Sequence, residues 1–178
     1  MMQHSDRPHD GDMQDSQQGK DPHDRILRDE LVYHIAWLRV LSIWFQHAHW
    51  SVGGQSSYGD HLMYERIYLA ITEEIDALAE KAVGFTGVSA VDTHVHGKMI
   101  GEMICAYPTP TRAGEATMIA STGLAMVSDY IDTINETYTT LKGQGKLSMG
   151  LDDFLMALVS KLETQAYLLK QRVRATIG

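Results

Sequence analysis

The sequence predicts an all-α fold, a four-helix bundle with a short extra helix in the connection between helices two and three. Three observations predict it. Apolar residues recur at steps of three or four along four long stretches. No stretch alternates convincingly at period two, so strands are not expected. A link of roughly 30 residues separates the second stretch from the third, far more than an up-and-down bundle needs.

The first helix is expected from Arg25, with Leu31, Ile35, Leu38, Ser42, Phe45 and His49 as one stripe. Val52-Gly53-Gly54 ends it. After a polar loop from Gln55 to Gly59, a second helix runs from near Asp60 to Val83 and stops at Gly84; Ser57 with Asp60 reads as a weak capping box. A short helix fits Asp92 to Ala106, and Pro108 and Pro110 punctuate the way to the next. The third long helix fits 112–142, with Ala120, Leu124, Val127, Ile131, Ile134, Tyr138 and Leu141 inward. Gly143-Gln144-Gly145 breaks it. The fourth fits 150–176, with Leu151, Leu155, Leu158, Leu162, Ala166, Leu169 and Val173 inward. The long link is then expected to cross the length of the bundle, as ferritin-like folds require. The bundle domain is assigned to residues 25–178.

Residues 1–24 carry six aspartates and almost nothing apolar, and read as a disordered acidic tail. His4, His9 and His23 lie there, so a metal-collecting tail competes with a plain solvated extension. Cys105 is the only cysteine, which excludes a disulfide framework within one chain and makes a reducing cytoplasm the default. It reads as a small buried hydrophobe. No apolar run reaches a membrane-spanning length, and the N-terminus shows no secretory signal. The net charge of −8 argues against a DNA-coating role, which needs clustered Lys and Arg.

The second helix carries His61, Glu65, Asp76 and Glu80. With His61 at 0°, the others fall at about 40°, 60° and 100°, so all four share one face. Charged residues opposite an apolar stripe describe any solvated helix, but Leu69 and Thr72 share this face. His49 lies on the apolar stripe of the first helix, five turns after Leu31, with Trp50 beside it. Histidines and carboxylates together suit iron and similar divalent metals; zinc or manganese fits the same donors. His61 and Asp76 are separated by roughly 22 Å along one helix, so they cannot share a metal within one chain. Two antiparallel copies of the helix about a two-fold axis would join His61 and Glu65 of one copy to Asp76 and Glu80 of the other.

The segment HWSVGGQSSYGDHLMYERIYLAITEEIDALAEKAVG resembles the signature of the Dps family, the miniferritins named as DNA-binding proteins from starved cells. That signature has a His-Trp pair, a second His twelve residues after the first, an acid four further on, and Asp-x-x-x-Glu on the same helix. Here these are His49-Trp50, His61, Glu65, Asp76 and Glu80; the family commonly has Asp at the position of Glu65. The match covers about 50 residues, and the rest agrees in helix order. The resemblance implies a homododecameric hollow shell, with di-iron ferroxidase sites at two-fold interfaces. It implies oxidation of Fe(II) by hydrogen peroxide or oxygen, storage of ferric mineral, and protection against oxidative damage. By carry-over His49, His61 and Glu65 ligate from one chain and Asp76 and Glu80 from its mate, with Trp50 beside the site. Asp152 and Asp153 fall where family shells have acidic pores for ion passage; equally, two acids in a first helical turn stabilise the helix dipole. His94 and His96 read as surface histidines, with an extra metal site as the alternative.

The family's DNA binding depends on a Lys-rich tail. The tail here is acidic, so DNA binding is not expected. An ordinary ferritin or other single-bundle di-iron enzyme uses Glu-x-x-His, and the sequence contains none. The competing class is a structural cage or metal-binding shell with little catalysis.

Overall fold

The computed structural model describes residues 22–54, 57–112 and 116–175. The described chain is helical: α1 (Pro22–Ser51), α2 (Ser57–Thr86), α3 (Thr93–Ile104), α4 (Ala116–Gly143) and α5 (Met149–Arg174), with 3-10 turns at Val88–Val91 and Pro110–Arg112. The expected tail lies outside the described residues apart from its last three positions, which open α1. Proline suits a first turn, where its missing N–H has no partner to lose.

α1 runs antiparallel to α2, and the positive φ of Gly54 turns the chain between them. Ser42 meets Thr72 in the middle of this pair, and His49 meets His61 at its tip. α4 also runs antiparallel to α1. Its Gly123 lies against Phe45, its Tyr130 reaches the His34 carbonyl, and its Thr137 donates to Glu30 at 2.6 Å. α2 and α4 therefore point the same way, and the link between them crosses the bundle as expected. α3 packs on α1 within that link, and Trp44 Nε1 donates to the Pro108 carbonyl at 2.9 Å to pin its end. α5 returns antiparallel to α2, tied by Arg172 to Asp60 and Lys161 to Glu74.

The inward stripes match the periodicity. Leu31, Ile35, Leu38 and Phe45 of α1 are buried, as are Leu151, Leu155, Leu158 and Leu162 of α5. α1 is buried on nearly every side, because α2, α3 and α4 all contact it. At about 25 cal/mol per Å², each fully buried Leu or Ile contributes about 2 kcal/mol. No described helix is long and apolar enough to cross a membrane.

Five details differ from the sequence reading. α2 continues through Gly84 to Thr86, since one glycine costs a helix only about 1 kcal/mol. Ser57 and Asp60 form no capping box: the Asp60 carboxylate is buried and bound by Arg172. α4 begins at Ala116 rather than 112, because Pro110–Arg112 forms a separate 3-10 turn. Cys105 is exposed, not buried, because it caps the C-terminus of α3 where that helix leaves the core. His96 is buried, not superficial, because its face of α3 turns onto α1.

Candidate metal centre

The α1–α2 hairpin brings two distant histidines together. The His49 and His61 rings stack with centroids 3.6 Å apart and planes 25° from parallel. Each Nδ1 lies 3.0 Å from the backbone carbonyl of the other residue. A carbonyl only accepts, so both Nδ1 atoms carry the proton and donate. In the neutral ring that leaves the lone pair on Nε2, the arrangement that orients a metal-binding histidine. His49 is buried and also meets the edge of Tyr68 at 5.5 Å. His61 is exposed, and Glu65, one turn further along α2, is half-buried.

Asp76 and Glu80 lie on the same helix and are exposed. Fifteen residues separate Asp76 from His61, roughly 22 Å of helix. Among the described residues no group of three or more His, Cys, Asp or Glu side chains gathers within one chain closely enough to hold a metal. One chain thus presents two half-sets of donors: two histidines with Glu65 near the hairpin tip, and two carboxylates four to five turns away.

Trp50 does not touch His49 within the chain. It is 63% exposed, and its ring leans on His47, on the other side of α1, at 5.0 Å. Asp152 and Asp153 occupy the first turn of α5, but Ser148 supplies the cap, accepting from Leu151 N–H at 3.1 Å. Asp153 is exposed; Asp152 is half-buried, with one carboxylate oxygen lacking a hydrogen-bond partner. Its charge faces Lys142 at the end of α4 and helps to raise that ammonium pKa, behind the Tyr138 hydroxyl. His94 is exposed, and its N–H with that of Val95 binds the Asp92 carboxylate, holding Asp92 below its ordinary pKa.

Polar groups that the sequence reading passed over lie inside the bundle. His34 is fully buried between Tyr33 and Tyr130, with neither ring nitrogen hydrogen-bonded, and burial lowers its pKa to about 4. Glu74 is buried against Lys161. Exposed Arg39 and buried His96, the latter read from the sequence as superficial, share a groove between α1, α2 and α3. The available signal was the run from Leu31 to Phe45, apolar on all sides of its helix, which marks an element covered by several neighbours.

Solved structures share the helical fold over most of the chain. The Dps of Thermosynechococcus elongatus superposes with a TM-score of 0.69 at 20% identity, over 84% of this chain and 90% of that one. An archaeal Dps homologue from Halobacterium salinarum gives 0.71 at 18%, over 84% and 80%. The Dps of Microbacterium arborescens, solved in a high iron form, gives 0.69 at 13%, over 87% and 97%. No protein-family model matches the sequence, and no curated protein matches it. The likeness establishes the architecture: this chain has the ferritin-like helical fold of the Dps structures.

Proposed function

We propose that this chain is a Dps-like ferroxidase that oxidises Fe(II) and stores the ferric product inside a homo-oligomeric shell, in the cytoplasm. The observation that carries the reading is the His49–His61 pair, two imidazoles locked by reciprocal carbonyl contacts with Nε2 left for a metal. A two-fold pairing of α2 adds Asp76 and Glu80 of a second copy to His49, His61 and Glu65 of the first. Two histidines and three carboxylates then surround a pair of iron ions, with Trp50 beside them. The iron is substrate. Carboxylates offset the charge of Fe(II) and more so of Fe(III), and imidazole binds either state. Two Fe(II) supply the two electrons that cleave the O–O bond of one hydrogen peroxide, with two protons taken up as water forms. Hydroxyl radical, the product of one-electron cleavage, is thereby avoided. Asp152 and Asp153 are candidates for an acidic passage into the shell. A twelve-subunit shell belongs to the same proposal and is carried over from the family resemblance of the His49 to Glu80 segment.

Anaerobic Fe(II) loading followed by peroxide tests this, with particle size measured on the same sample. The wild type is expected to oxidise the iron within a particle of constant size. His49→Ala with His61→Ala is expected to abolish oxidation and keep the particle. Unchanged kinetics in that variant sink the assignment. An intact particle that never oxidises iron favours a purely structural cage.

A further inference from the structure

Three aromatic rings from three parts of the chain meet beside α1. Trp37 of α1 stacks on Tyr130 of α4, with centroids 5.4 Å apart and planes 21° from parallel. Tyr107, in the link after α3, meets Trp37 edge-on at 6.0 Å. Both spacings fall within the roughly 4.5–7 Å of contacting aromatic pairs. The rings thus form an unbroken path outward from the core: Tyr130 is fully buried, Trp37 is 6% exposed and Tyr107 is half-buried.

Their polar atoms are served unequally. The Trp37 indole N–H is sealed in the core without an acceptor, although a buried indole usually finds one. The Tyr130 hydroxyl donates to the His34 carbonyl at 3.3 Å, and a carbonyl accepts a hydrogen bond without taking up the proton. The Tyr107 hydroxyl donates to the Asp129 carboxylate at 2.8 Å, and Asp129 is exposed. Of the three rings, Tyr107 alone faces a base, and that base is open to water. The difference matters once a ring loses an electron. The radical cation left behind is an unpaired charge in an apolar core, which is costly. An oxidised phenol is a strong acid, so it is discharged as soon as its proton can leave. Trp37 and Tyr130 have no base to receive theirs.

We propose that Trp37, Tyr130 and Tyr107 relay oxidising equivalents out of the bundle core, and that Tyr107, with Asp129 as its proton acceptor, is the redox-active tyrosine where they settle. A one-electron oxidant of the hydroxyl-radical class takes an electron from the stack and becomes hydroxide. Tyr107 refills the stack with one electron and passes its phenolic proton to Asp129. The products are a neutral Tyr107 radical and a protonated carboxyl, whose proton meets the hydroxide as water. One electron from a diffusible reductant such as ascorbate, with the proton returned by Asp129, restores the phenol. Neither the metal donors nor the two-fold pairing of α2 enters this relay.

The test uses full-length, metal-free protein carrying a ruthenium photosensitiser on Cys105, which is exposed and is the only cysteine. Flash oxidation of the label places one hole near Tyr107, since both residues line one cavity. Transient absorption and electron paramagnetic resonance distinguish a neutral tyrosyl radical from a tryptophan radical cation. The wild type is expected to give the tyrosyl radical, and ascorbate is expected to hasten its decay. Tyr107→Phe is expected to lose that signal and show a tryptophan radical cation instead, which the further change Trp37→Phe removes. Asp129→Asn is expected to lower the tyrosyl yield several-fold. Should the buried Trp37 substitution fail to fold, the other two still decide. A second arm exposes unlabelled protein to radicals from Fe(II)–EDTA and peroxide and maps oxidised peptides. Oxidation at Trp37 is expected to rise several-fold in Tyr107→Phe. A tyrosyl signal that survives Tyr107→Phe unchanged, or that ignores Asp129→Asn, overturns the assignment of Tyr107. Equal Trp37 oxidation in wild type and Tyr107→Phe overturns the relay.

Discussion

His34 carries a consequence for acid stability. Its ring is sealed in the core without a hydrogen bond, and burial holds its pKa near 4 against an ordinary 6.5. Below 6.5 the unfolded chain takes up a proton that the folded chain refuses, so stability falls as pH falls. The loss grows until the folded ring also protonates near pH 4. At 1.36 kcal/mol per pKa unit it amounts to about 3 kcal/mol. Denaturant unfolding at pH 7 and pH 4.5 is expected to show this drop in the wild type. His34→Phe, of similar volume, is expected to remove most of it; an identical pH dependence in both contradicts the assignment. His34 illustrates what spacing conceals. Its neighbours Leu31, Ile35 and Leu38 lie on the predicted stripe, but nothing in the sequence says which element covers the ring beside them. His49 was legible for the opposite reason, since it lies on the stripe and belongs to a fixed pattern with His61.

At the scale of elements, the bundle depends on two close fits. A Cβ on Gly123 would lie 2.8 Å from Phe45 Cε1 and 3.2 Å from Trp44 Cζ3. Both rings are buried and cannot swing aside. Gly123→Ala gains helix propensity worth about 1 kcal/mol but overpacks the α1–α4 contact at a cost of about 1–3 kcal/mol. Net destabilisation is expected in thermal unfolding, and a rise in Tm refutes the fit. The α2–α5 contact is closed by Asp60, buried and bound by Arg172 at 2.5 and 3.0 Å. Asp60→Ala removes a buried carboxylate and its two bonds to Arg172 and is expected to cost about 1.5–3 kcal/mol in denaturant unfolding. The four long helices were legible because their stripes run for many turns. The cross-bundle contacts were not: Asp60 read as a capping residue because its true partner lies 112 positions away. Cys105 and His96 went astray together, since both sit on α3, whose orientation is set by packing on α1 rather than by its own short pattern.

For the whole molecule, the predictions concern charge and the proposed assembly. The net charge of −8 opposes a polyanion. Gel shift at low salt is expected to show no tight duplex binding, and a tight complex refutes that. The bundle was readable from one chain. The proposed donor set was readable only in halves, because the proposal completes it from two chains. Asp76 and Glu80 stand exposed in the single chain. Complementation tests this central claim most directly. A chain with His49→Ala and His61→Ala, and another with Asp76→Ala and Glu80→Ala, are each expected to be inactive as pure assemblies. When they are unfolded and reassembled together, mixed dimers regain one intact site each, formed by the histidines of one chain and the carboxylates of the other. Random mixing is expected to restore about a quarter of the wild-type ferroxidase rate. Mixed assemblies of the correct size that remain inactive contradict the shared site.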